Sequence, residues 1–116
     1  MGLLVEEVAT DAAVAAIRLT AQLPRGFGDL ASQIKRAATS VLLSIAEGTG
    51  RRGGDGRYHF TVAYGSAREV KAALTLIGRF QLLGRQVVAD CWLRMDRVAS
   101  MLWPLGRIRR SEATRG

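Results

Sequence analysis

The chain has 116 residues, a formal charge of +7 and 48% hydrophobic residues, of which aromatics are only 6% of the chain. That is one domain's worth of sequence with enough apolar content for a real core, built mostly from Leu, Ile, Val and Ala. A single cysteine, Cys91, excludes an intrachain disulfide, and the longest uncharged stretch of the central part, residues 37–46, is far below the ~20 residues of a membrane-spanning helix. With no basic n-region in Met1-Gly2-Leu3-Leu4-Val5-Glu6-Glu7, these features imply a cytoplasmic protein in a reducing compartment.

The first predicted helix spans 4–22. Leu4, Val8, Ala12, Ala15 and Leu19 recur at helical spacing, but Ala13, Ala16 and Ile17 make the run apolar nearly all round. Such a helix is buried on more than one side, and oligomerisation would supply a second wall. Leu23 to Gly28 is a turn broken by Pro24 and two glycines, and Asp29 is the expected N-cap of the second helix, 29–47. That helix points Leu30, Ile34, Ala37 or Ala38, Val41 and Ile45 inward, and Gly48 and Gly50 are expected to end it.

The third helix, 56–83, carries Phe60, Ala63, Ala67, Val70, Leu74, Ile77 and Gln81 in a 3-4 rhythm, flanked by Val62, Ala73, Leu76, Phe80 and Leu83. A short Gly84-Arg85 turn leads to the fourth helix, 86–103, with Val88, Cys91, Trp92, Met95, Val98, Ala99 and Leu102 as its apolar face, and Pro104 is expected to end or kink it. Residues 1–110 therefore read as one all-α domain, an antiparallel up-down-up-down four-helix bundle, with 111–116 as a frayed tail. No strand pattern, internal repeat or low-complexity segment competes.

Charge is uneven. Residues 1–50 sum to −1 and residues 51–116 to +8, and fifteen of the seventeen basic residues are Arg. In an up-down bundle the turn between the second and third helices shares a pole with both termini, so Arg51, Arg52 and Arg57 join Arg107, Arg109 and Arg110, diluted by Glu6 and Glu7. Arg binds phosphate in bidentate fashion, which suits a nucleic-acid platform. A solvated arginine surface driven by a GC-rich genome and a docking surface for an acidic protein explain the same residues.

Glu47 lies in the last turn of its helix, where the dipole disfavours an acid, so it is expected to find an arginine such as Arg51. Pairing the second and third helices about their turn sets Glu69 opposite Arg36 as an inter-helix salt bridge. Ser40, Ser44, Gly65 and Ser66 are small residues that permit close helix approach. Trp92 and Trp103 read as packing residues. His59 is the only histidine, so no metal site is supported, and neither Ser40 nor Ser66 has a base at a recognisable spacing. The glycine-rich stretch 48–56 lacks the GK[ST] ending and preceding strand of a phosphate loop. No enzyme and no cofactor are expected.

Gln33 to Ala38, Ile45-Ala46-Glu47-Gly48, Gly50-Arg51, Phe60 and Gly65-Ser66 with Glu69 follow the pattern xxQIRRAAxSIxxNIAEGxGR, an aromatic at the start of the next helix, then GSxxE. Over residues 23–75 the chain thereby resembles the four-helix-bundle family of proteins encoded in intervening sequences of large-subunit ribosomal RNA genes. That family is similar in fold to the accessory variability determinant of diversity-generating retroelements, a homopentameric bundle with a basic surface that binds a reverse transcriptase and nucleic acid. The resemblance implies a cyclic homo-oligomer, a pentamer, without catalytic activity. It points to RNA or DNA, and to a reverse transcriptase, as partners. A protein-only interaction scaffold is the alternative. The sequence departs from the family pattern at Leu42-Leu43-Ser44, where Pro and Asn are usual, and at Gly53 to His59, where the turn is usually polar.

Overall fold

The computed structural model describes residues 2–51 and 53–106. Within them the chain forms four helices: α1 (Gly2–Thr20), α2 (Gly28–Thr49), α3 (Gly53–Arg79) and α4 (Arg85–Gly106). They pack as a four-helix bundle in which α1 touches α2 and α4, and α3 touches α2 and α4. No helix among the described residues is long and apolar enough to cross a membrane.

The expected stripes of α2, α3 and α4 form the core. Ile34, Ala38, Val41 and Ile45 meet Ala63, Ala67, Val70, Leu74 and Ile77, and Val88, Cys91, Met95, Val98, Ala99 and Leu102 close the far side. Helix α1 is rotated from expectation. Its inward face is Val5, Ala9, Ala12, Ala13, Ala16 and Leu19, whereas Leu4 is 53% exposed. The small side chains let α1 wedge between α2 and α4, so two helices of the same chain bury its alanine-rich face. The second wall that seemed to require another copy is thus largely supplied within the monomer. Exposed large apolar side chains are spread over all four helices, and Val62 and Leu76 of α3 with Phe80 just past its end share one flank.

Boundaries also moved for identifiable reasons. Gly48 does not end α2; it is buried inside it, and a Cβ there would sit 2.8 Å from Phe60 Cε1. The hydroxyls of Ser40 and Ser66 lie 2.8 Å apart further along the same seam. Gly48, Phe60 and Ser66 of the family pattern are therefore among the contacts that bring α2 against α3. Asp29 falls in the first turn of α2, and Phe27 occupies the cap position without a side-chain cap bond.

Helix α3 ends at Arg79, short of Leu83, because Gln81 adopts a left-handed φ of 56°. Its N–H donates to the carbonyl of Gly78 and that of Leu82 donates to Ile77, both at 3.1 Å, which is the Schellman arrangement of a helix stop. Pro104 does not stop α4. It sits in the last turn, where only one helical hydrogen bond is lost, and the helix runs on to Gly106. A Cβ at Gly106 would lie 2.8 Å from the Thr61 nitrogen, so α4 ends in tight contact with α3.

Cross-helix pairs record the register. Along α3 and α4, Thr61 meets Gly106, Tyr64 meets Trp103 and Lys71 meets Asp96. At the other seam, Thr49 Oγ1 donates to Glu6 Oε1 at 3.0 Å. The end of α2, the beginning of α1, the beginning of α3 and the end of α4 are therefore neighbours.

Candidate nucleic-acid interface

Of the six arginines expected to form a basic pole, Arg51 and Arg57 lie within the described residues; Arg52, Arg107, Arg109 and Arg110 lie outside them. The expected tail, 111–116, lies outside as well. Arg51 is exposed and held between two acids. Its Nη2 is 3.1 Å from Glu47 Oε2, its Nε donates to the same oxygen at 3.2 Å, and its Nη1 is 3.8 Å from Asp55 Oδ2. Exposed i,i+4 pairs contribute only about 0.3–0.5 kcal/mol each, yet they neutralise charge locally.

Arg57 is half-buried, with its Nε buried. Its carbonyl lies 2.9 Å from the Thr61 hydroxyl, which is also 2.9 Å from the carbonyl of Gly106. The Arg57 backbone thus lies one helical turn before the point where α3 touches α4, and its Nη2 is 4.0 Å from where a Cβ on Gly54 would lie. Glu6, Glu47 and Asp55 outnumber Arg51 and Arg57, so the described part of the pole is not a bare cationic platform.

A second cationic feature adjoins this pole. A cleft of about 860 Å³ runs along the outer face of α2, lined by Lys35, Arg36, Thr39, Ser40, Ser44, Glu47 and His59 among others. Lys35 and Arg36 are exposed, and neither takes part in an ion pair among the described residues. Glu47, the acid at the far end, is occupied by Arg51. The exposed Tyr58 ring packs edge-on against His59 at a centroid distance of 5.3 Å. The cleft therefore combines two uncommitted cations, three hydroxyls and a neighbouring pair of aromatic rings. The signal for this cleft in the sequence lies in the outward wheel positions Ser32, Arg36, Thr39, Leu43 and Glu47 of α2.

The Arg36–Glu69 bridge does not form. Both residues are exposed and line one cleft of about 410 Å³, but no ion pair within 4.0 Å joins them. Counting outward from the turn assumed a symmetric register. The Gly48–Phe60 and Ser40–Ser66 contacts shift the seam by one to three residues, leaving Arg36 and Glu69 offset.

The inter-helix bridge is instead Lys71–Asp96, 2.7 Å long, between α3 and α4. Lys71 Nζ also sits 4.6 Å from the centre of the Trp92 ring. Counting outward from the Leu83–Gly84 turn would have found this pair. Trp103 packs on Tyr64 at 5.2 Å and remains half exposed. No group of three or more His, Cys, Asp or Glu side chains suited to a metal occurs among the described residues. Burial, then the charge of Asp90, pushes the Cys91 thiol up, partly offset by Arg94. It is thus less nucleophilic near neutral pH than a free thiol.

A family model described as 23S rRNA-intervening sequence protein matches residues 2–103. The match extends beyond the 23–75 region of the motifs to take in nearly all of α1 and α4. No curated protein and no solved structure matches the chain.

Proposed function

The chain belongs to the 23S rRNA-intervening sequence protein family, and from that premise we propose that it is a non-enzymatic, homo-oligomeric helical bundle that binds nucleic acid in the cytoplasm. The observation that carries this reading is the α2 cleft, where Lys35 and Arg36 stand uncommitted beside the Arg51 pole. Phosphate binding needs cations whose charge neighbouring acids have not already cancelled. In this reading the helices alternate up and down, supported by the Glu6–Thr49 and Thr61–Gly106 pairs. Arg52, Arg107, Arg109 and Arg110, which lie outside the described residues, also contribute to binding in this reading.

The test is fluorescence anisotropy of labelled single-stranded RNA and duplex DNA across a salt series. Expected log–log slopes are about −0.7 per phosphate for single strands and −0.9 for duplex. Lys35→Ala/Arg36→Ala, and separately Arg51→Ala/Arg52→Ala with Arg107, Arg109 and Arg110 changed to Ala, are each expected to weaken binding. Arg57 is left intact because its side chain is half-buried, with Nε shielded from solvent. A flat salt response with unchanged affinity in both variants refutes the reading.

A protein-only scaffold is the second reading, and the exposed flank formed by Val62 and Leu76 of α3 with Phe80 just past its end favours it. In the oligomer that flank is where a second copy packs, and a reverse transcriptase is the outside partner to test by co-purification. Light scattering at monomer mass refutes the oligomer.

A further inference from the structure

Between the last turn of α3 and the first turns of α4 lies a second cleft, of about 690 Å³. The length of α3, about 40 Å by helical rise, separates it from the α2–α3 turn. Buried Leu74 and Val88 and half-buried Leu83 and Trp92 form its apolar lining, and exposed Arg79 and Arg85 stand at its rim. No carboxylate lines it. The nearby acids of α4 are committed elsewhere, Asp90 to Arg94 at 2.9 Å and Asp96 to Lys71 at 2.7 Å. Neither Arg79 nor Arg85 takes part in an ion pair among the described residues. The space exists partly because residue 78 has no side chain. A Cβ there would meet Val88 Cγ1 at an ordinary 3.6 Å, so it would point towards a wall of the cleft.

We propose that this cleft binds a small aromatic anion, its planar body against Trp92 and the apolar lining and its phosphate, sulfonate or carboxylate on Arg79 and Arg85. The volume falls within the usual range for small-molecule sites, about 300–1,000 Å³. An apolar lining with few convergent polar groups is the composition of such sites, and paired guanidinium groups select planar or tetrahedral oxyanions by bidentate hydrogen bonds. The assignment is independent of nucleic-acid binding at the α2 cleft.

The chain has two tryptophans, so Trp103→Phe leaves Trp92 as the sole reporter in the cleft. Its emission is titrated with adenosine 5′-monophosphate and, separately, with 1-anilinonaphthalene-8-sulfonate; adenosine and inorganic phosphate serve as controls. A saturable change is expected with at least one aromatic anion, and at least tenfold weaker binding with adenosine or phosphate alone. Which anion binds tells a nucleotide source from a simpler aryl acid. Arg79→Ala/Arg85→Ala removes the charge. Gly78→Leu fills the space while improving helix propensity, so it tests the cleft without threatening the fold. Each is expected to raise the dissociation constant at least tenfold with the thermal melt unimpaired. No saturable change with either anion, or parental affinity in both variants, overturns the proposal.

Discussion

Replacing Gly48 with Ala tests the contact that sets the α2–α3 register. The new Cβ would lie 2.8 Å from Phe60 Cε1 and 3.0 Å from Cδ1 and Cζ, closer than carbon atoms pack. Overpacking of this kind costs about 1–3 kcal/mol. Against it stands the helix propensity of Ala over Gly, about 0.8–1.0 kcal/mol in favour of the variant. With a clash near the middle of its range, Gly48→Ala destabilises by about 1 kcal/mol, lowering Tm by about 4 °C in a domain of this size. Removing the ring reverses the sign. In a Phe60→Ala background the clash is gone, propensity alone remains, and Gly48→Ala stabilises by about 1 kcal/mol. A double-mutant cycle by urea unfolding therefore yields a coupling of about 2 kcal/mol between positions 48 and 60. The reasoning fails if Gly48→Ala has the same effect with and without the ring. That result would mean the Phe60 ring moves aside at no cost.

Other outcomes follow from the same geometry. Gln81→Gly relieves a left-handed residue at the α3 Schellman stop and raises stability by about 1 kcal/mol, read from the urea midpoint. Asp96→Ala breaks the partly buried Lys71 pair and costs about 1 kcal/mol, whereas Glu69→Ala changes stability by less than about 0.5 kcal/mol because Glu69 has no ion-pair partner among the described residues. The raised Cys91 pKa means the folded chain keeps its thiol proton after the unfolded chain has begun to lose it, near pH about 8.5. The resulting contribution to stability is complete below that pH and declines above it. Unfolding free energies of the parent should therefore fall more steeply than those of Cys91→Ala as pH rises beyond about 8.5. Iodoacetamide should label native Cys91 far more slowly than the urea-unfolded chain.

The basic pole shows where reading residues one at a time stops working. Arg51 was identifiable as a surface arginine beside Glu47, but Asp55 on its other side and the partial burial of Arg57 depend on how α3 begins at Gly53 and meets α4. Helix pairing about the turn assigns Arg36 to a bridge with Glu69, and nothing local in the sequence distinguishes Lys35 beside it. That neither makes an ion pair among the described residues, although Glu47 and Glu69 line the same clefts, becomes visible only with α3 in place.

By itself the sequence determined four helices and the inward faces of three of them. Ile34, Val41 and Ile45, then Ala63 to Ile77, then Val88 to Leu102 each repeat once per helical turn, and that periodicity is a local property. It did not determine the inward face of α1, where alanines all round the helix give periodicity nothing to choose between and packing between α2 and α4 selects Val5, Ala9 and Ala16. The tertiary structure alone decided the register at Gly48 and Phe60, the salt bridge at Lys71 and Asp96, and which arginines keep their charge uncancelled. Each depends on a contact between residues distant in sequence. Such contacts respond to ångström-scale fit between whole helices, which no residue's own neighbours in the chain record.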